Sequence, residues 1–226
     1  MPDPGHGCAP VRAIRREGNS WQTRARTALL VPVAVWLSAC YTVGFHPVPP
    51  PALPDRIPVG VSLHVPEEVA QATYSFRAFG SGIANRWTVP YGARLQEFAR
   101  AFLCAAASSC RDATSPDDVG ENELLVRIER ADYRVEGQAA HVRMRVDAVD
   151  GSGSAVLGKE YATRGLGGLG SVALGGAFVQ KSVTRSSTDA AFREIFVALV
   201  GDLERGWNER GVVPTTGSLG RLRSGR

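Results

Sequence analysis

Lysine is almost missing from this chain. Lys159 and Lys181 are the only two among 26 basic residues. That bias reflects a GC-rich coding sequence more than any function. Histidine is also scarce. His6, His46, His64 and His141 are the four present, and none is spaced as H-x-x-H or H-E-x-x-H, so a helical zinc site has no ligands to draw on. No G-x-S-x-G elbow occurs, and no nucleophile stands beside a recognisable base, which argues against a hydrolase. No apolar stretch reaches the roughly 20 residues that a membrane-spanning helix requires. The run Ala28–Leu37 is ten residues long and contains Pro32. These gaps point away from an enzyme, a metal protein and a cofactor-dependent protein, and leave a binding function as the expectation.

The residues that are present follow a strong order along the chain. The first 39 hold Arg12, Arg15, Arg16, Arg24 and Arg26 against Asp3 and Glu17. The apolar run comes next, then the small residues Ser38 and Ala39, then Cys40. Positive end, apolar middle and small-residue cleavage site are the order of an export signal. Leu37-Ser38-Ala39-Cys40 resembles the lipobox of bacterial lipoproteins. The resemblance implies that the Cys40 thiol receives a diacylglyceryl group and that cleavage between Ala39 and Cys40 makes it the acylated N-terminus. Tyr41, and not Asp, follows the cysteine; by the same resemblance this implies the outer membrane, with the domain facing the periplasm. Residues 1–39 are then a signal peptide, and acyl chains are the anchor.

Removing the leader changes the charge argument. Of 26 Lys+Arg and 22 Asp+Glu, residues 1–39 take five and two, which leaves 21 against 20. Arg221, Arg223 and Arg226 lie in the last six residues. The basic pI therefore belongs to the leader and the tail. It gives no reason to expect a nucleic-acid partner, which would need a basic stripe on a folded face.

Cys8 would leave with the leader. Cys104 and Cys110 remain, six apart. In an oxidising compartment two neighbouring cysteines tend to pair. On a continuous helix they point about 240° apart, so a bridge requires the helix to end near Ala107. The other reading is a buried Cys104 and a loop thiol at Cys110.

Residues 40–56 carry Pro47, Pro49, Pro50, Pro51 and Pro54, and read as an extended tether of a few tens of ångströms at about 3.1 Å per residue. A single domain is expected over 57–212 and a disordered tail over 213–226. Val59, Val61, Leu63 and Val65 alternate as a strand. A second extended segment covers 72–79. Leu95, Phe98, Phe102 and Ala106 make a helical stripe. Leu124, Val126 and Ile128, then Val142, Met144, Val146 and Ala148, alternate as strands, and Asp150-Gly-Ser-Gly153 is a hairpin turn into 155–164. Phe192, Ile195, Phe196, Leu199, Leu203 and Trp207 form a second helical stripe, with N-cap candidates at 186–189. The predicted class is α+β, in the order β-β-α-β-β-β-α, with a mostly antiparallel sheet under two amphipathic helices. Anchor, tether and element order together resemble small outer-membrane accessory lipoproteins, such as the auxiliary lipoproteins of envelope transporters and the lipopolysaccharide-assembly lipoprotein. That resemblance implies an envelope protein as partner.

Three surfaces are candidates for contact. Gly165-Leu-Gly-Gly-Leu-Gly170 matches G-x-G-x-x-G in form, but no helix start or acidic partner follows, so a nucleotide site is not expected. With Leu166, Leu169, Val172, Leu174 and Phe178 it reads as an apolar contact loop. Arg127, Arg143 and Arg145 are placed on the outer face of neighbouring strands, where a solvated face competes with a site for acidic groups. Asp117, Asp118, Glu121 and Glu123 form an acidic loop without EF-hand spacing. The expected function is a lipid-anchored, non-enzymatic adaptor or accessory subunit. The alternative is a carrier of lipid or another apolar ligand in a groove between sheet and helices.

Overall fold

The computed structural model describes residues 40–49, 51–53, 57–77, 86–167 and 172–211, without the side chains of Cys40 and of 172–178. Residues 1–39, expected to be a signal peptide, Leu169 and the expected tail 213–226 lie outside the described residues. Among the described residues the strands are β1 (Cys40–Thr42), β2 (Ile57–His64), β3 (Tyr74–Phe76), β4 (Arg86–Val89), β5 (Ala107–Asp112), β6 (Glu123–Glu136), β7 (Ala139–Asp150) and β8 (Ala155–Leu166). The helices are α1 (Glu67–Ala70), α2 (Tyr91–Ala106) and α3 (Val172–Gly211). No described helix is long and apolar enough to cross a membrane.

Two sheets form. One is five-stranded in the order β5-β2-β6-β7-β8, and the other three-stranded in the order β1-β4-β3. The α+β class holds. The long ladders β6–β7 and β7–β8 are antiparallel, whereas β2 runs parallel to both of its neighbours and β1 is parallel to β4. A parallel neighbour needs a crossover. Between β2 and β5 that crossover is α1, β3, β4 and α2.

Val126, Ile128, Tyr133, Val142, Met144, Val146, Ala148 and Tyr161 turn to one face of the large sheet and are buried. Both predicted helical stripes cover that face. Phe98 is at their junction, with ring centroids 5.9 Å from Phe102, 5.7 Å from Phe192 and 6.4 Å from Phe196. The hairpin turn after β7 places Gly153 at φ +80, where a side chain would be strained.

The second helix begins earlier than its sequence predicts. Ser186, Ser187 and Thr188 do not cap it; they lie inside α3 and donate to the carbonyls of Val183 and Thr184 one turn back. These small residues let β8 approach. A Cβ on Gly165 would stand 2.0 Å from the Ser187 carbonyl oxygen, so only glycine fits this crossing. The glycines read as a loop are in part the residues against which the helix packs.

Cys104 and Cys110 are joined in a disulfide. The geometric condition is met because α2 stops at Ala106 and Ala107 is extended, which folds β5 back beside the helix and brings the two Cα atoms to 5.0 Å. Closing so short a loop removes unfolded-chain entropy worth about 2 kcal/mol. The double variant Cys104→Ser/Cys110→Ser is expected to melt about 5 °C lower than wild type. Reduced wild-type protein should match it in a calorimetric scan.

Candidate membrane-proximal site and charged sheet face

The described part of the proline-rich segment, residues 40–49 and 51–53, is not a free tether, which corrects that expectation. β1 begins at Cys40 and pairs in parallel with β4, Cys40 opposite Arg86, Tyr41 opposite Trp87 and Thr42 opposite Thr88. Val43 continues the ladder, donating to the Thr88 carbonyl at 2.9 Å, and its side chain is buried. Tyr41 stacks on Trp87 at 5.0 Å while remaining 40% exposed. Phe45, Val48 and Leu53 pack against the core from between the prolines.

An extended proline-rich backbone leaves its carbonyls free, and two arginines use them. Arg94 on α2, only 3% exposed, donates from Nη1 to the His46 carbonyl at 2.6 Å. Arg185 on α3 donates from Nε to the Gly44 carbonyl at 2.8 Å and from Nη1 to His46 Nε2 at 2.6 Å. The buried Arg94 charge is balanced by Asp189 at 2.8 Å and Glu97 at 2.6 Å. Its guanidinium also lies 4.9 Å from the Phe45 ring and 4.8 Å from the Phe98 ring, in cation–π range. Asp189, a cap candidate in the sequence, is thus the counter-ion of the residue that pins the N-terminal segment.

The opposite face of the large sheet carries no helix among the described residues. Register puts Arg127 opposite Asp147, Arg143 opposite Asp132 and Arg145 opposite Arg130. The three arginines share this face, as their alternation predicts. Arg143 pairs with Glu160 at 3.1 Å, Arg145 with Asp147 at 3.2 Å and Arg130 with Asp132 at 2.9 Å. Arg134, His141 and Arg164 stand opposite one another across β6, β7 and β8. An open depression of about 330 Å³ lies here over Ala162, bordered by Asp132, Arg134, His141 and Arg143. Interleaved charges of both signs make this a solvated, salt-laced surface. Most of its arginines already have carboxylate partners, so their pull on a further anion is reduced.

The acidic loop before β6 is an arginine clamp. Arg111 of β5 reaches Asp118 at 2.9 Å and Glu123 at 2.8 Å, and Ser62 donates to Glu123 at 2.7 Å. Among the described residues no group of three metal-ligating side chains forms. The hydrogen bonds from Arg111, then Ser62, lower the Glu123 carboxyl from 4.5 to about 2. Arg111 lowers Asp118 as well. A carboxyl depressed in the fold stabilises above its unfolded pKa, and that contribution is lost as pH falls through the folded value. The stability deficit of Glu123→Gln against wild type is therefore expected to be constant above about pH 5 and to shrink between pH 4.5 and 2, read as Tm against pH.

The predicted apolar contact loop divides. Leu166 ends β8 and is 65% exposed. Leu169 lies outside the described residues. Val172, Leu174 and Phe178 belong to α3 and so form no loop. His64 and His141 take half-buried strand positions, and His141 Nε2 is 3.4 Å from Glu136. The docking of residues 40–49 is what sequence reasoning missed. Its signal was the alternation Tyr41, Val43, Phe45 ahead of the prolines.

No family model matches the chain, and no curated protein matches it. Its course resembles a Xanthomonas campestris protein of the DUF330 family, at 13% identity and a TM-score of 0.46, over 76% of this chain and 98% of that one. A minor lipoprotein of Acinetobacter baumannii gives 9% identity and a TM-score of 0.38, over 67% and 94%. A hypothetical protein of Chlamydia trachomatis gives 11% and 0.36, over 65% and 98%. These are likenesses of partial chain course, and no function is taken from them.

Proposed function

We propose that this chain is a lipid-anchored envelope protein, acylated on Cys40 at the outer membrane, that acts as a non-enzymatic adaptor or accessory subunit of an envelope complex. The observation that carries the reading is the run of basic leader, ten-residue apolar stretch and Leu37-Ser38-Ala39-Cys40, placed directly before the first strand of the domain. Acyl chains confine the domain to two dimensions and raise its effective concentration for a membrane-borne partner. Because residues 43–49 are docked, the confined body is the domain itself and not a domain on a leash.

The carrier alternative needs an apolar groove between sheet and helices. That space is occupied by Tyr133, Met144 and Tyr161 facing Ala191, Phe192 and Ile195, all buried, so no observation favours it. The test compares native wild type with Cys40→Ser in envelope fractions. Wild type is expected to sediment with membranes, to begin at an acylated Cys40 by intact mass, and to crosslink a defined envelope protein. The variant should lose all three. Equal fractionation of the two, with an unmodified Cys40, would sink the reading.

A further inference from the structure

We propose that the Cys40 end of the three-stranded sheet is a bilayer-contact surface, through which the domain rests in one orientation on an anionic phospholipid leaflet. This rests on the acylation of Cys40 proposed above and specifies what that anchor does to the domain. A free tether over residues 40–56 would hold the domain a few tens of ångströms off the membrane at about 3.1 Å per residue. Residues 40–49 form no such spacer. Cys40 is itself a sheet residue paired with Arg86, and Val43 and Gly44 are held by Thr88 and Arg185. Chains attached at Cys40 enter the bilayer directly beside the sheet.

Strand direction decides which residues share that position. β1 and β4 are parallel, so both begin at this end, and β3 is antiparallel to β4, so it finishes there. Cys40, Arg86, Phe76 and the following Arg77 are thereby brought together. Arg77 and Arg86 are exposed and have no ion pair among the described residues. Arg164 and Arg193 likewise have no ion pair among the described residues, whereas Arg100, Arg111, Arg130, Arg134, Arg143 and Arg145 each pair with a carboxylate; what sets Arg77 and Arg86 apart is their place beside Cys40. Residues 40–49, 71–77 and 86–96 contain no Asp or Glu at all. Unpaired cations beside an acyl anchor fit anionic headgroups. The half-exposed Tyr41 ring, apolar in body and polar at its tip, fits the interface level of a bilayer.

The test is arginine footprinting with phenylglyoxal on the lipidated full-length mature protein, read by mass spectrometry. Arg205 is the internal reference. It lies 20 residues from Arg185 along α3, about 30 Å from the Gly44 clamp at 1.5 Å per residue. In phosphatidylglycerol vesicles Arg77 and Arg86 are expected to react about fivefold more slowly than in acyl-free Cys40→Ser protein in buffer, with Arg205 unchanged. The protection should fall as salt is raised, because screening acts on headgroup attraction. Equal protection in phosphatidylcholine vesicles would overturn the choice of anionic headgroups. Protein acylated on Cys40 whose Arg77 and Arg86 react as fast as in buffer would overturn the contact surface and leave the adaptor reading standing. An unacylated Cys40 in native envelopes would remove both.

Discussion

Phe98→Ala is expected to cost about 4 kcal/mol of folding stability, a large share of what holds a domain of this size folded. Phe98 is fully buried at the crossing of α2 and α3. Its ring touches Phe102 on its own helix, Phe192 and Phe196 on α3, and the Arg94 guanidinium above. Truncation removes the transfer energy of the ring and leaves a cavity that two rigid helices close poorly. For a domain of this size the melting temperature should fall by about 10 °C, and the urea midpoint should drop without a change in slope. A loss under about 1.5 kcal/mol would mean that the helices slide to refill the site. Phe98→Leu, which retains most of the volume, is expected to recover more than half of the loss.

Arg94→Ala is expected to cost about 3 kcal/mol and, unlike Phe98→Ala, to free one particular segment. The removed guanidinium serves Asp189, Glu97, the His46 carbonyl and two aromatic rings. Taking away one partner of a largely buried pair leaves the other charge uncompensated, which costs more than the pair contributes on balance. Asp189 retains some solvent contact, which holds the figure below the upper end of that range. Amide hydrogen exchange should rise at residues 43–49 well before the rest of the domain. Arg94→Lys keeps the charge without the planar fork that reaches Asp189 and His46 together, and is expected to lie between. If exchange in 43–49 is unchanged in Arg94→Ala, the Arg185 contacts to Gly44 and His46 and the β1–β4 ladder hold the segment without Arg94.

Much of the large sheet was legible from alternation. Val142, Met144, Val146 and Ala148 face inward with Arg143, Arg145 and Asp147 outward, as period two requires. The stripes Leu95–Ala106 and Phe192–Leu203 mark the buried sides of α2 and α3. These elements carry their own pattern because each buries one continuous face. β5 carries none. Ser108, Ser109, Arg111 and Asp112 show no apolar alternation, yet the chain is extended there because β2 supplies its hydrogen bonds and Cys104 ties it down. β1 and β4 are three and four residues long, too short for the faint alternation Tyr41, Val43, Phe45 to mark a strand without its partner.

The sequence by itself determined the class of the domain, the two helical stripes, the meander of β6, β7 and β8, and the one cysteine on which export and anchoring would turn. Each follows from local spacing, which fixes side-chain direction without reference to distant residues. Only the tertiary structure decided that the proline-rich segment is docked, that α3 starts before its apparent caps, and that the acidic loop is a partner for Arg111. In each case the deciding contact comes from elsewhere in the chain, Arg94 with His46, Arg185 with Gly44, Gly165 with Ser187. A carbonyl or a buried guanidinium leaves no periodic trace, because what satisfies it depends on which elements pack together and not on its neighbours in sequence.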